Sequence, residues 1–265
     1  MKTILAGATL LLAISSAAIA GTSSEPNPLL TRRGFEAAGQ IAYYHYEEPG
    51  LMNLIGPRIG AVGSFTLAKA GLLFRAEVRG SYGRLKYQGS GTQNNVPDSI
   101  FETRLLVGKD FPVGGRIALS PYAGLGYRAL YNDLRGYSQS GGQTYAGYRR
   151  YSNYAYVPAG LTGRIAMRDR WVLAPTVEYD VFIRGRQDSK LSDVGGCNRD
   201  VTNKQTHGYG YRAAFMVENT RCAFGPWLHG WSIGDSDLQP AGCGLLGREP
   251  KNWTREGGIE FRYRF

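Results

Sequence analysis

Cysteine, histidine and methionine are scarce in this chain, whose 265 residues include three Cys, three His and four Met. The cysteines, Cys197, Cys222 and Cys243, do not have the spacing of metal ligands, so the sequence predicts neither a metal site nor a cofactor. Beyond the N-terminus no stretch approaches the roughly 18 uncharged apolar residues that a spanning helix needs. This excludes a helical membrane protein. Acidic residues are fewer than basic ones, 21 against 31.

Glycine and tyrosine, in contrast, are abundant, with 37 Gly and 18 Tyr, while long runs of Ala, Leu, Glu and Lys are few. This composition favours an all-β chain over a helical bundle. From Arg33 onward apolar residues recur at every second position, which is the period of a strand with two unlike faces. The alternation predicts ten strands, at 34–46, 56–67, 72–87, 100–111, 116–132, 151–166, 171–184, 206–218, 223–234 and 253–265.

The predicted connections alternate between short turns and longer loops, so that the two kinds would lie at opposite ends of the sheet. Turns are expected around 68–71, 112–115, 167–170 and 219–222, and loops around 47–53, 89–99, 134–150, 188–204 and 235–251. An even number of strands, about ten within a range of eight to twelve, is typical of a transmembrane antiparallel up-and-down β-barrel. Such a closed sheet leaves no backbone group unpaired in lipid.

A soluble lipocalin-like barrel would alternate in the same way, with its apolar face inward. The membrane version is favoured by Arg and Glu on the charged face of most strands, by Tyr and Trp near strand ends, and by the C-terminal Phe265. Ile259, Phe261, Tyr263 and Phe265 share one face of the last strand. In this the chain resembles the small outer-membrane β-barrel families of Gram-negative bacteria, in which the barrel-assembly machinery reads such an aromatic C-terminal signal. The resemblance implies integral insertion in the cell outer membrane, among its lipid and lipopolysaccharide.

The N-terminal residues have the pattern of a secretory signal peptide. Lys2, an apolar segment over 4–14 and the small residues Ala18 and Ala20 predict a signal peptide over 1–20, cleaved before Gly21. A short periplasmic N-terminal linker is expected over 21–32, which is rich in Ser, Pro and Asn. Residues 33–265 would then form the outer-membrane barrel with long extracellular loops.

The charged face of the predicted strands would line the inside of the barrel. A ten-stranded barrel is only slightly wider than the eight-stranded type that side chains fill. We therefore expect a closed, ion-paired core, because isolated buried charges are costly. A narrow polar passage is the alternative. The predicted ion-pair network of the lumen consists of Glu36, Arg58, Arg75, Glu77, Arg79, Glu102, Arg104, Arg128, Glu178, Asp180, Arg212, Glu218, Glu256, Glu260 and Arg262.

The loop predicted over 134–150 carries Arg135, Arg149 and Arg150 beside Tyr and Gln side chains. These arginines are the best surface candidates for an extracellular ligand, namely an anionic partner such as lipopolysaccharide phosphate or an acidic glycan. A solvated loop that carries three arginines is the alternative. No compact basic cluster with interleaved aromatic residues occurs, so nucleic-acid binding is not expected.

No catalytic residues are predicted. None of the histidines, His45, His207 and His229, stands at a spacing from a Ser or Cys nucleophile that would imply a pair. Asp235 and Asp237 resemble the aspartate pair of the omptin proteases, which are ten-stranded barrels, but the Asp-X-His couple of those enzymes is missing. The His-X-Ser motif of barrel lipid A deacylases is missing as well.

Two further local features carry expectations. Cys197 and Cys243 both fall in predicted loops, so they are candidates for a disulfide in the oxidising envelope, which would leave Cys222 as a free thiol. Prolines interrupt several predicted strands, and we expect bulges or local strand ends there, at Pro121, Pro158 and Pro175.

The sequence therefore predicts a non-enzymatic protein that acts in surface recognition or adhesion, or in envelope structure. A narrow channel for small polar solutes is the second hypothesis, since the lumen side of the strands is polar. A hydrolase located at the outer rim is the third, because outer-membrane proteases also use ten-stranded barrels.

Overall fold

The computed structural model describes residues 27–265, which form a closed antiparallel β-barrel of ten strands. This confirms the predicted fold class. The predicted signal peptide and the first part of the linker lie outside the described residues. The barrel strands are β1 (Gly34–Glu48), β2 (Met52–Lys69), β3 (Leu72–Gly89), β4 (Gly91–Lys109), β5 (Ile117–Asp133), β6 (Arg149–Ala166), β7 (Val172–Ser189), β8 (Gly208–Glu218), β9 (Cys222–Ile233) and β10 (Asn252–Arg264).

Each strand pairs with its neighbours in sequence, and the first and last strands pair with each other. The β1–β10 ladder runs from Glu36 opposite Arg264 to Glu47 opposite Trp253, so the sheet closes along most of the length of β1. A closed sheet has no free edge, which removes the row of unpaired backbone groups that would otherwise recruit another strand. Among the described residues, no helix is long and apolar enough to cross a membrane.

The two faces of the barrel differ because successive side chains of a strand point to opposite sides. The outer face is apolar: Ile41, Leu105 and Leu125 are each more than 60% exposed. The inner face is charged, and Arg58 and Glu102 are almost completely buried there. An apolar outside around a polar inside is the reverse of a soluble barrel, so this arrangement suits a lipid surrounding.

The connections at one end of the barrel are short turns, and this end is called the turn end. At the opposite end, the loop end, the strands run further than the sequence predicts. Loops were expected at 47–53 and 89–99, but β1 and β2 are joined by three residues, and β3 and β4 are joined through Ser90 alone. Both expectations are wrong because the polar residues of these segments continue the ladder, with Tyr87 opposite Gln93 beyond an irregularity after Leu85.

The predicted bulges at prolines are also wrong. Pro121 pairs with β6, Pro158 with β7 and Pro175 with β8, with no shift of register at any of them, whereas a bulge occurs between Phe182 and Arg184. Each of these prolines is paired on one side and lacks a paired partner on the other. This is the expected pattern, because a residue in an antiparallel ladder directs its N–H toward one neighbour, and proline lacks that group.

The remaining loop-end connections fold upon themselves above the barrel. Two small hairpins occur there, one with strands at Tyr137–Ser140 and Gln143–Ala146, and another with strands at Gln239–Gly242 and Leu245–Gly247. The segment after β7 contains a short 3₁₀ helix, Leu191–Val194, and a strand, Val201–Gln205, which pairs with the end of β7. The chain therefore forms an ordered layer above the loop-end rim.

Candidate functional site

The lumen near the turn end contains an ion-pair cluster around Glu36. Its carboxylate lies 3.0 Å from Arg75, 3.1 Å from Arg262 and 2.6 Å from Arg264. Arg264, in turn, lies 2.5 Å from Glu218. These side chains come from β1, β3, β8 and β10, so the cluster bridges strands on both sides of the closing ladder. Arg164 of β6 also reaches Glu218, at 3.3 Å, and Arg262 lies 2.6 Å from Glu260.

The middle of the lumen is crossed by a chain of alternating charges. Arg104 lies 2.5 Å from Glu77 and 2.7 Å from Glu178. Arg212 lies 2.8 Å from the same Glu178 and 2.5 Å from Glu102. Because each arginine is shared by two carboxylates, the chain spans the lumen from β3 to β8. Charges in this arrangement compensate for the desolvation that burial imposes on them.

The other members of the predicted network also face the interior. Arg79 pairs with Glu256 at 2.7 Å, and Arg58 pairs with Asp98. Arg128 is buried without a hydrogen-bond partner, and its guanidinium lies 5.5 Å from the ring centroid of Trp231. Asp180 contacts Arg212 at 3.5 Å and His229 at 3.6 Å. The structure therefore places all fifteen predicted residues on the lumen side.

Aromatic and aliphatic side chains fill the lumen toward the loop end. Tyr44, Leu54, Tyr154, Tyr156 and Trp231 belong to one buried cluster there. The hydroxyl of Tyr156 donates to Glu102 at 2.7 Å, which joins this cluster to the charged layer below it. The upper lumen is therefore occupied by packed side chains, above a layer of ion pairs.

The described part of the predicted linker, residues 27–32, reaches across the turn end of the barrel. Leu29 is buried against Ala118 and Val172, on the inner faces of β5 and β7. Thr31 donates to both carboxylate oxygens of Asp110, from its backbone N–H at 2.7 Å and from its hydroxyl at 2.8 Å. Since β1 begins on the other side of the barrel, residues 27–33 cover part of this opening. Asp110 was not among the residues that the sequence indicated.

The turn-end segment and the ion pairs enclose a cavity of about 210 Å³. Leu30 and Thr31 line it together with charged side chains of the lower lumen and with Trp227 and His229. One patch of its wall, formed by Ala174, Ala214, Met216 and Ala223, is apolar, and it lies between charged lining residues of the same strands, Glu178, Arg212 and Glu218. The cavity therefore has a largely charged lining with one apolar patch.

The three arginines predicted as a surface site, Arg135, Arg149 and Arg150, do not form a common cluster in the structure. Arg150 points into the lumen, where it is 4% exposed and pairs with Glu48 at 2.6 Å and with Glu249. The prediction that it lies in an exposed loop is wrong, because β6 begins at Arg149 and position 150 falls on its inner face. Arg149 pairs with Asp193 at 2.7 Å, and the hydrogen bonds of this guanidinium lower the pKa of Asp193 to about 2.

Arg135 stands apart from the other two arginines and pairs with Asp133 at 2.6 Å. All three guanidiniums thus already hold a carboxylate. This reduces the charge that they offer to an anionic ligand, and it means that any such ligand would compete with an internal acid.

Glu48, Glu249 and Arg150 form a buried cluster under the loop-end layer. The hydroxyl of Tyr46 donates to Glu48 at 2.9 Å and lies 3.0 Å from Glu249. Burial raises the pKa of Glu249 to about 7, and the neighbouring Glu48 acts in the same direction, while Arg150 opposes them. This cluster could not be predicted from the sequence, because Glu249 lies in the last loop and its partners are in β1 and β6.

A disulfide ties two loop-end connections together. Cys197 and Cys243 are bonded, with their Cα atoms 5.2 Å apart, and Cys222 is a free, half-buried thiol. The bond links the connection after β7 to the hairpin before β10. In the same layer the backbone N–H of Lys204 donates to Asp237 at 2.6 Å. Both contacts hold the two connections against each other.

The aspartates and the histidine considered in the sequence analysis, Asp235, Asp237 and His229, do not lie together in a catalytic arrangement. Asp235 accepts a hydrogen bond from the backbone N–H of Lys251 at 2.7 Å, and Asp237 accepts one from the backbone N–H of Lys204. Both aspartates therefore stabilise the backbone of their loops. His229 accepts a hydrogen bond from the indole of Trp231 at 2.7 Å and is buried deep in the lumen. Within residues 27–265 no group of three His, Cys, Asp or Glu side chains could hold a metal ion.

No protein-family profile matches the sequence. No curated protein sequence matches it either. Among solved structures, the barrel is similar to the outer membrane protease OmpT from Escherichia coli, at 11% identity and a TM-score of 0.56, covering 88% of this chain and 97% of that one. The translocator domain of the autotransporter NalP from Neisseria meningitidis matches at 12% identity and a TM-score of 0.40, covering 89% and 90%. At these identities the similarity to OmpT shows the fold alone.

Proposed function

We propose that this chain is an integral β-barrel of the Gram-negative outer membrane and that it acts at the cell surface through its loop-end layer, in recognition or adhesion. The outward apolar belt and the inward charges support membrane insertion, because lipid-facing and lumen-facing residues alternate in such barrels. The turn end, with its short connections, would face the periplasm, and the loop end would face the outside. Short periplasmic turns and longer outer loops are the usual arrangement.

The observation that carries this proposal is the filled lumen. Arg104 and Arg212 connect opposite walls in the middle of the barrel, and Tyr156 and Trp231 pack above them. Leu29 and Thr31 lie across the turn end. A barrel of this width that is occupied at three levels has no continuous path for a solute, so its activity is expected at its outer surface.

The loop-end layer has the properties of a binding surface. The disulfide and the Arg149–Asp193 pair hold it in one arrangement, which reduces the ordering cost of binding. The hairpin around 239–247 exposes Leu245 and Leu246 at more than 60%. Exposed apolar side chains that project from an ordered polar layer are typical of protein or membrane contact sites.

Single-channel conductance tests the closed lumen. The refolded chain 21–265, inserted in a planar lipid bilayer, is expected to give no discrete current steps. Insertion is verified independently by protection of the barrel from protease and by heat-modifiable migration. Salt-dependent steps from the inserted protein would refute the proposal and make solute passage the better hypothesis.

Adherence of whole cells tests the role of the loop-end layer. Gram-negative cells that display the wild-type chain should adhere to a mammalian cell monolayer or to each other more than cells without it. Replacing Leu245 and Leu246 with Asp should abolish the gain. Leu51, which is 58% exposed in the short β1–β2 connection, provides the matched control as Leu51→Asp. Equal adherence with and without the wild-type chain would refute surface recognition in this form.

A further inference from the structure

The cavity near the turn end contains hydrogen-bond donors without acceptors. Arg79 is 4% exposed and uses two of its nitrogens, Nε toward Gln40 at 2.8 Å and Nη2 toward Glu256 at 2.7 Å. Its Nη1 has no partner, and the indole Nε1 of Trp227 has none either. Both side chains line the cavity, while Glu256 does not.

The two side chains that carry these donors are close to each other. The Arg79 guanidinium lies 4.9 Å from the ring centroid of Trp227. A buried donor without an acceptor costs free energy, and a charged donor costs more than a neutral one. An acceptor placed between Arg79 and Trp227 would satisfy both, and a carboxylate is the acceptor that a guanidinium binds most strongly.

One part of the cavity wall is an apolar patch of mostly small side chains. Ala174, Ala214, Met216 and Ala223 form a buried cluster on the inner faces of β7, β8 and β9. Three of these four are alanines, whereas charged side chains, Arg75, Glu77 and Arg104, line the cavity on β3 and β4. The small side chains create the space, and they offer an apolar surface that lies across the lumen from β3, the strand of Arg79, and next to Trp227, which pairs with Ala214.

We propose that this cavity is a binding site for a small organic anion. Its carboxylate would accept hydrogen bonds from Arg79 and Trp227, and its apolar body would lie against the apolar patch of Ala174, Ala214, Met216 and Ala223. A cavity of about 150 Å³ lined by apolar side chains binds benzene. The volume here, about 210 Å³, accommodates a benzoate-sized molecule. Entry is from the turn end, where Leu30 and Thr31 line the cavity. The site is independent of the proposed role of the loop end.

Isothermal titration calorimetry on the refolded chain 21–265 in detergent micelles tests the proposal, with benzoate as the probe. Benzylammonium and benzyl alcohol, which are similar in size but cationic and neutral, serve as comparison ligands. We expect saturable binding of benzoate, at least tenfold weaker binding of benzyl alcohol and none of benzylammonium. Absence of saturable benzoate binding, or equal binding of benzylammonium, would overturn the assignment, since the cavity would then hold water or select no charge.

A cavity-filling variant locates the site. Ala214→Leu should abolish benzoate binding because the added side chain occupies the apolar side. Ala61→Leu, on the outer face of β2, is the matched control and should bind as wild type does. A second variant tests the donor side of the cavity. Replacing Arg79 and its partner Glu256 together, as Arg79→Gln with Glu256→Gln, removes the guanidinium without leaving Glu256 as an unpaired charge, and it should weaken benzoate binding at least tenfold. Undiminished binding in both folded variants would refute this location.

Discussion

Thr31 holds Asp110 at two points, with its backbone N–H on one carboxylate oxygen and its hydroxyl on the other. The segment before the barrel is thereby attached to the connection between β4 and β5, across the opening from the start of β1. Charge-assisted bonds of this kind are stronger than neutral ones. The attachment therefore sets how far residues 27–33 can move away from the cavity above them.

Replacing Thr31 should loosen this segment without disturbing the barrel. Thr31→Val removes the hydroxyl donor and keeps the backbone bond, which should cost about 1 kcal/mol. Trypsin cleavage after Arg32 or Arg33 is then expected to accelerate about fivefold, since 1.4 kcal/mol corresponds to a factor of ten in an equilibrium. Thr31→Ser keeps the donor and is the control. Equal cleavage of Thr31→Val and wild type would mean that the hydroxyl does not hold the segment.

Breaking the central ion-pair chain should be costly. Arg104→Met leaves Glu77 and Glu178 without their shared partner in a buried layer, and loss of one member of a buried pair costs about 3–5 kcal/mol. Arg186→Met removes an exposed pair with Asp188 and is the control, with an expected cost of about 0–1 kcal/mol. Equilibrium unfolding of both variants in lipid vesicles measures the difference. Similar costs would show that the lumen is more hydrated than its geometry implies.

A charge on the outer face tests which side meets lipid. Leu105 is 62% exposed and pairs with Leu125 at the middle of β5, so Leu105→Arg should destabilise the inserted barrel by about 2–4 kcal/mol if that level is the bilayer midplane. Leu105→Phe keeps an apolar side chain there and should be nearly neutral. Unfolding measurements in vesicles distinguish the two. Unchanged stability of Leu105→Arg would mean that this face does not lie at the middle of a bilayer.

The cluster of Tyr46, Glu48, Arg150 and Glu249 should make the last loop sensitive to pH. The pKa of Glu249 is raised from 4.5 to about 7 by burial. Because the folded-state value is the higher one, the associated stabilisation is complete below about pH 4.5 and is lost as the pH rises through about 7. Hydrogen exchange in the 248–251 segment should therefore be slower at pH 5.5 than at pH 8, after correction for the intrinsic rate.

Substitution of Glu249 provides the control for this pH effect. Glu249→Gln cannot ionise, so the corrected exchange of the loop should no longer depend on pH in this range. Glu47→Gln, whose side chain lies on the other face of β1, should behave as wild type does. Another titrating group would be responsible if the pH dependence survived in Glu249→Gln. Asp193 does not account for a pH dependence between pH 5.5 and pH 8, because its lowered pKa places its titration below pH 4.

The sequence predicts the strands and their faces well, because both depend on alternation along a single segment. The last strand, expected at 253–265, is Asn252–Arg264, and its aromatic residues lie on the outer face as their period requires. The same alternation puts Glu77 and Arg104 on the inner face. Local period thus determines which residues enter the lumen.

Partners within the lumen could not be predicted, since they depend on register and on distance across the barrel. Asp98 lies in a segment that the sequence assigned to a loop, although it pairs with Arg58 inside the barrel. Glu249 meets Arg150 across 99 positions through an irregular loop. The cavity was also beyond prediction, because Ala214 and Ala223 carry no signal in sequence until their strands are placed side by side.

The cluster around Glu36 also bears on how the two ends of the chain recognise each other. Glu36 stands in the first strand, and two of the three arginines that neutralise it, Arg262 and Arg264, stand in the last, 226 and 228 positions away. Their contacts can form only when the sheet closes. A slip of one residue between β1 and β10 would turn both guanidiniums toward lipid and leave Glu36 with Arg75 as its remaining partner. The ion pairs between β1 and β10 therefore favour the correct register of the closing ladder, because a barrel closed in the wrong register loses them.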